Sequence, residues 1–460
     1  MTRYDMMFLI NEVQTRHGTV RVLPVNHSKF LTFSVGDVIF MDSNAFLKDS
    51  LENLVKDVLK QEDDFKYVYS YFKDKPELLP YVKEKSCFPY EYFNSIDRFQ
   101  ETKIPSREDF YDNLNNKECS VQKYEKVSLL WELLGGKFEN LHDFYLILDV
   151  LLLACVCEKF KNTCHKDLKL DPFNYISLAA FTWDAALLYT REELELFDNE
   201  EMYTFLESSC RGGIVQASKR YAEANNPYML DGFNPQEAIS YLIQLDSNNL
   251  YALSLRSHLP YKSFKWVICE KLRGIICSED FILGMKNDRK IGYIYEVDIE
   301  IPKELHEMFS DLPLLPENIS VTNDMLSDFQ NEHWPKIPPK GHERLTLNLF
   351  NKQNYVLHYR TLKFCIQQGL KVKKFHRILQ FEQKAWLRPY IDRNTKKRME
   401  ASELDNKFLQ NLWKVKYQIR FYILFHPYSY ALPLFIFVIK LWILVSKAKE
   451  RGRERNREGI

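Results

Sequence analysis

Asp246 stands directly behind the apolar run Tyr241-Leu-Ile-Gln-Leu245 and five residues ahead of Tyr251. A carboxylate at the end of a buried strand is held by rigid backbone, and there it can ligate a divalent cation. Two magnesium ions held close together can activate an attacking hydroxyl and stabilise a leaving pyrophosphate. Asp246-Ser-Asn-Asn-Leu-Tyr251 then sets an apolar residue and an aromatic ring, Leu250 and Tyr251, close behind the carboxylate. An ordinary strand with an Asp in the following turn uses the same residues. Upstream, Arg211-Gly212-Gly213 offers backbone N–H groups with no Cβ in the way, beside a cation, so a phosphate can approach closely. A plain Gly-Gly turn is the alternative. Downstream, Lys371-Val-Lys-Lys-Phe-His-Arg377 puts Lys371, Lys373 and Lys374 on a predicted strand, with Phe375 and His376 available to stack on bases. A strand edge protected by lysines reads the same way.

The elements needed to position these groups are legible. Thr19 to Pro24 and Phe33 to Met41 read as strands, and Ala45 to Gln61 and Val121 to Leu134 as helices. Asn140 to Cys164 reads as a long, unusually apolar helix, on which Tyr145 and Asp149 stand four apart and share a face. Hydrophobic residues make up 45% of the 460, enough for two or three domains with real cores. Formal net charge is zero, so no global field draws nucleic acid, and any such path must be a local basic strip. The nine cysteines include no paired C-x-x-C sites at zinc spacing, which fits reduced thiols in an intracellular protein. The N-terminus is polar and carries no signal-peptide pattern.

Taken in order, these segments resemble the protein-primed branch of the family B DNA polymerases, most closely those of large self-synthesising DNA transposons (Polintons or Mavericks) and related linear elements. The family form of the first motif is Asp-x-x-Ser-Leu-Tyr-Pro, in which Asn249 here replaces the Ser and Ala252 the Pro. Further matches are Asp42-Ser43, Ser50-Leu51, Lys85-Ser-Cys-Phe-Pro-Tyr90, Arg220 to Tyr228, Leu259-Pro-Tyr261, Gly292 to Asp298 and Asn348 to Tyr359. They continue through Gly369-Leu370, His376-Arg377, Phe381-Glu-Gln383, Tyr390-Ile-Asp392 and Asn394-Thr395, so residues 20 to 412 follow the family.

The resemblance implies templated deoxynucleotide transfer to a primer hydroxyl, with Mg2+ as cofactor. Template and primer DNA, deoxynucleoside triphosphates and a terminal priming protein are the implied partners, and the nucleus the implied location. Asp246 would bind both metals, Tyr251 with Leu250 would form the sugar site and gate against ribose, and Arg398 would hold the triphosphate. Arg211, Gly212 and Gly213 would hold the template strand. Tyr145 and Asp149 match the third motif of the proofreading exonuclease, where the Asp holds a metal and the Tyr orients the attacking water.

The implied fold is α+β. Residues 1–165 would form the later part of a ribonuclease-H-like exonuclease domain, 166–262 the connection and palm, 263–345 an insertion of the kind that grips the priming protein, 346–413 further palm and the start of the fingers, and 414–460 an apolar and basic tail outside the family. The chain departs from the family in several places. The strand-borne Asp-x-Glu and the Asn…Asp pair of the exonuclease are missing upstream. Asp298-Ile-Glu300 lies too far downstream and reads as structural, so proofreading by this chain alone is not expected. Gln410 stands where the family has the Lys of Lys-x-x-x-Asn-Ser-x-x-Gly, and Asp-Thr-Asp is absent. The expectation is a fragment that does not polymerise alone. Residues 421–445 turn strongly apolar and end in a basic run, read as decayed or frame-shifted sequence in preference to a membrane anchor. A non-catalytic DNA-binding remnant and a membrane-anchored protein are the alternative functions.

Overall fold

The computed structural model describes residues 20–26, 29–114, 116–197, 199–211, 214, 221–229, 232–243, 249–333 and 343–413. Asp246, Gly212, Gly213 and the apolar tail 421–445 lie outside the described residues. The fold mixes helices with three antiparallel sheets. The chain forms two units, residues 1–185 with 395–418 and residues 186–394 with 419–460.

In the first unit, β1 (Val20–Asn26), β2 (Lys29–Val35) and β3 (Val38–Met41) form a meander. The expected single strand from Phe33 to Met41 is two strands. Gly36, at φ +56°, and Asp37 form a two-residue hairpin turn in which Val35 pairs with Val38. Glycine takes that left-handed conformation without a Cβ penalty. Helices follow: α1 (Leu51–Val58), α2 (Lys66–Phe72), α3 (Val121–Leu133), α4 (Phe138–Leu168) and α5 (Leu178–Thr190). Ser50 caps α1 and Ser120 caps α3, each accepting a backbone N–H three residues on at 3.3 Å. The predicted helix from Ala45 shortens to Leu51 because that cap begins it.

Helix α4 runs 31 residues and ends on Lys169 at φ +61°. Phe138, Leu141, Tyr145, Leu148, Leu152 and Cys155 are buried along it at three- and four-residue spacing, one apolar stripe facing a core. Its length and composition alone would also suit a membrane span. In the same unit, Phe408 packs edge-on against Phe160 of α4.

The second unit adds α6 (Glu200–Ser209), α7 (Leu250–Leu255), β4 (Leu259–Trp266), α8 (Glu270–Ile276), α9 (Glu279–Gly284), β5 (Ile291–Glu300), β6 (Glu317–Ile319), α10 (Asp328–His333), β7 (Arg344–Thr346), β8 (Lys352–His358), α11 (Tyr359–Gln367) and β9 (Lys371–Lys384). The chain closes with α12 (Arg388–Glu403) and α13 (Lys407–Leu412). Four strands form one antiparallel sheet in the order β4-β9-β5-β8, and β6 pairs with β7. Strand β5 lies in the segment expected as an insertion, and here it is central to the sheet. It is buried almost throughout because both faces are covered. Tyr293, Tyr295, Val297 and Ile299 enter one core with Leu357, Tyr359 and Ile378. Ile294 faces the other, with Val356, Leu379, Phe381 and Phe205 of α6. Gly292 is obligatory, since a Cβ there would lie 2.4 Å from the Phe381 ring.

His358 ends β8 and caps α11, its Nδ1 accepting the Arg360 N–H at 3.3 Å. Complete burial, with the Arg360 guanidinium beside it, holds its pKa well below the ordinary 6.5. The unfolded chain therefore binds a proton that the folded one refuses. The stability this group contributes is intact above pH 6.5 and is lost as pH falls, at up to about 1.4 kcal/mol per pH unit. His358→Asn keeps a capping side chain and removes the titration. Urea unfolding near neutrality and at mildly acidic pH should give a shallower loss for the variant; equal losses would refute this origin.

Candidate functional site

In the second unit, the approach to Asp246 differs from expectation. Tyr241, Leu242 and Ile243 form no strand and are exposed. Among the described residues no strand pairs with them, and without a ladder partner an apolar run buries neither its backbone nor alternate side chains. The preceding segment is held differently. Asn225 and Ser240 exchange backbone hydrogen bonds of 3.3 and 2.7 Å. The Asn225 amide donates to the Asn234 carbonyl and accepts the Asn234 N–H, both at 2.9 Å, and Asn226 donates to the Ser240 carbonyl at 3.0 Å. The polar loop before the Asp is thus a two-asparagine clasp, which its Asn-Asn-Pro signature could have suggested.

Beyond Asp246, Asn249 adopts φ +46° and starts α7. Asn tolerates the left-handed region better than most residues. Leu250 and Tyr251 open that helix half-buried, and the Tyr251 hydroxyl has no hydrogen-bond partner among the described residues. Ala252, Ser254 and Leu255 are buried behind them, and the Ser254 hydroxyl donates to the Leu250 carbonyl at 2.8 Å. The far end is pinned by three arginines. Arg388 donates to the Arg256 carbonyl at 3.0 Å, Arg256 pairs with Asp392 at 2.5 Å, and Arg360 donates to the His258 carbonyl at 3.1 Å. A short helix would fray in isolation; this one is fixed from outside, so the Tyr251 ring has a defined origin. Arg360 also donates to the Tyr359 hydroxyl at 3.1 Å, and Gln383 donates to the same oxygen at 2.9 Å. Sequence inspection missed Arg360, although it directly follows a quoted motif.

Arg211, expected on the template, turns inward. Its guanidinium donates to the Val356 carbonyl at 2.9 Å and lies 3.9 Å from the centre of the Tyr355 ring. Burial pushes its pKa below the usual value. It ties the end of α6 to β8.

The basic strip begins β9. Lys371, Lys373 and Lys374 are exposed, and Lys373 pairs with Glu300 at 2.9 Å. Asp298 pairs with Lys374 but Ile299 with Val372, so Lys373 is the extra residue of a bulge. His376 and Phe375 face protein, His376 bonding Asp298 at 2.8 Å and Phe375 packing on Tyr295. Asp298 also accepts the N–H of Asn354, itself at φ +48° in a bulge of β8. Asp298 and Glu300 are structural, in keeping with the sequence reading. Arg377 grips Glu296 through two nitrogens, at 2.7 and 3.2 Å.

The first unit contains the second predicted pair. The Tyr145 hydroxyl donates to Asp149 Oδ2 at 2.8 Å, as the four-residue spacing on α4 allows. Lys85 Nζ lies 3.1 Å from the same carboxylate oxygen, and the Tyr90 and Tyr145 hydroxyls are hydrogen-bonded. Phe88 stacks on Tyr145 with centroids 4.9 Å apart. The segment Lys85 to Tyr90 therefore wraps the pair, a partnership that its place in the motif series pointed to without giving the contact. Burial and the neighbouring Tyr90 and Asp149 push the Tyr145 pKa far up, so it acts as a donor. Asp149 Oδ1 is buried without a hydrogen-bond partner among the described residues. That lone atom suits a cation, but the ammonium of Lys85 already offsets the charge. No group of three or more His, Cys, Asp or Glu able to hold a metal occurs among the described residues. These residues do not fit a two-ion site. Asp149→Ala, leaving the half-buried Lys85 unpaired, is expected to cost about 1–3 kcal/mol in chemical unfolding; a loss near zero would show the pair to be idle.

Arg398 lies half-buried on α12, in the part of the chain that belongs to the first unit. Its neighbours are engaged: Lys397 with Asp167 and Lys396 with Glu400 at 3.9 Å. Arg398 has no ion pair among the described residues.

Residues 1–416 match the model of one family, described as DNA polymerase type B, organellar and viral. No curated protein matches. Among solved structures, Phi29 DNA polymerase complexed with primer-template DNA and incoming nucleotide substrates is 10% identical, with a TM-score of 0.46, covering 97% of this chain and 67% of that one. The orthorhombic crystal form of Phi29 DNA polymerase is 10% identical with a TM-score of 0.42, covering 91% and 57%. Its complex with single-stranded DNA is 11% identical with a TM-score of 0.42, covering 90% and 56%. The chain thus spans between 56% and 67% of the length of these polymerases.

Proposed function

Because this chain belongs to the organellar and viral type B DNA polymerases, a family that uses divalent metal ions, we propose that it takes part in templated transfer of deoxynucleotides to a primer hydroxyl. The family match over residues 1–416 carries this reading. Asp246 is the assigned metal carboxylate. A divalent ion bound there would lower the barrier to attack by the primer hydroxyl and neutralise charge on the leaving pyrophosphate. Tyr251 is assigned to the sugar of the incoming nucleotide and Leu250 to its support; the pinning of α7 supports both roles. Arg398, a cation without an ion pair among the described residues, is assigned to the triphosphate.

Lys371 and Lys374, exposed and free of ion pairs among the described residues, are the assigned DNA contacts, with Lys373 beside them. Gly212 and Gly213 keep their assignment to the template strand, whereas Arg211 is turned onto the Val356 carbonyl and the Tyr355 ring. In this reading Tyr145 and Asp149 belong to an exonuclease-like part, 263–345 meets a terminal priming protein, and the palm and fingers divide as the motif order implies. Lys371→Ala with Lys374→Ala should lower primer-template affinity and reduce the slope of log affinity against log salt by about 2. Fluorescence anisotropy at several salt concentrations measures both. An unchanged slope would remove β9 from the DNA path.

A further inference from the structure

We propose that the first unit holds a second nucleotide site, in the pocket between α1, the segment 81–87 and α3. The pocket has a volume of about 370 Å3, within the range of small-molecule sites, about 300–1,000 Å3. Its floor is apolar: Val55, Val127 and Leu130 are fully buried, and the Tyr81 ring lines one side. Its rim is basic, with Lys56, Lys83, Lys123 and Lys126 all contributing. An apolar floor under a basic rim matches a base below and phosphates above. Lysine presents a mobile point charge with three donors, suited to phosphate oxygens.

The rim also carries two carboxylates. Glu52 pairs with Lys123 at 2.7 Å, and Glu84 with Lys126. These pairs are roughly half exposed and so contribute little by themselves. A phosphate can displace either. Lys83 is engaged outside the pocket, with Glu62 at 2.5 Å, and Lys56 has no ion pair among the described residues. A compact pocket of this size suits one nucleotide better than a DNA strand, which needs a groove that continues along its backbone. All the residues that line it belong to the first unit, and the proposal does not rest on the polymerase reading.

The test is a calorimetric titration of the full chain with dATP, without divalent ions. Lys56→Ala combined with Lys126→Ala should weaken binding by on the order of tenfold. Glu52→Gln should strengthen it by releasing Lys123. An oligothymidylate titration runs alongside. Unchanged dATP affinity in the double lysine variant overturns the proposal, as does oligothymidylate binding at these lysines with no dATP binding. If the double variant fails to fold by circular dichroism, Glu52→Gln decides, and an unaltered affinity there overturns it.

Discussion

Wherever this chain supports magnesium-dependent primer extension, Asp246→Ala is expected to reduce it by roughly a thousandfold or more, the scale of losing several kcal/mol of transition-state stabilisation. A neutral side chain cannot replace a metal carboxylate, and no group of three acids elsewhere among the described residues could take over. Chelating the divalent ion should produce the same loss in the unsubstituted chain. Tyr251→Ala should act differently. The ring is assigned to the sugar, so the variant should keep part of its rate and accept ribonucleotides more readily. The assay is extension of a labelled primer on a template by the 460-residue chain, with the two variants in parallel. Extension that survives Asp246→Ala would remove that residue from the chemistry. If the unsubstituted chain extends nothing, magnesium-dependent binding of deoxynucleotide to the primer complex, lost on Asp246→Ala, is the readout that remains.

The second large effect concerns stability. Glu317→Ala should destabilise the second unit by about 3–5 kcal/mol, whereas Lys352→Met should be nearly neutral. The Lys352 side chain is completely buried, with Nζ 2.5 Å from Glu317 Oε2 and 2.5 Å from Asn348 Oδ1. Burial drives its pKa down, and Glu317 opposes that. Removing the carboxylate strands an ammonium in the protein interior, beside β6 and β8. Removing the ammonium leaves a glutamate that is a quarter exposed and still accepts from Asn348 at 3.1 Å. The asymmetry is the diagnostic. Urea unfolding in which both variants lose equally, or neither does, would contradict the stranded-charge account.

Much of the fold was legible in the sequence where a periodic apolar pattern ran long enough. The apolar periodicity of α3 and the stripe of α4 placed those helices to within a few residues of their ends. Gly36 carried the information that one predicted strand was two, but only its φ reveals the turn. The candidate sites were legible as residue types and order, and much less as contacts. Nothing local distinguishes Arg211, turned onto a backbone carbonyl and a tyrosine ring, from an arginine reaching for phosphate. The lysines of β9 are plain in the sequence, but the bulge at Lys373 is not, because register belongs to the pair of strands and not to either one.

By itself the sequence determined family membership, the helix stripes and the chemical candidates, since these depend on residue identity and on spacing along one chain. Tertiary structure decided which cations face inward, which carboxylates cap bulges, and that Lys85 meets Asp149 across 64 residues. The physical reason is that a charge takes its role from the partners and the desolvation it meets in space, and those partners are remote in sequence.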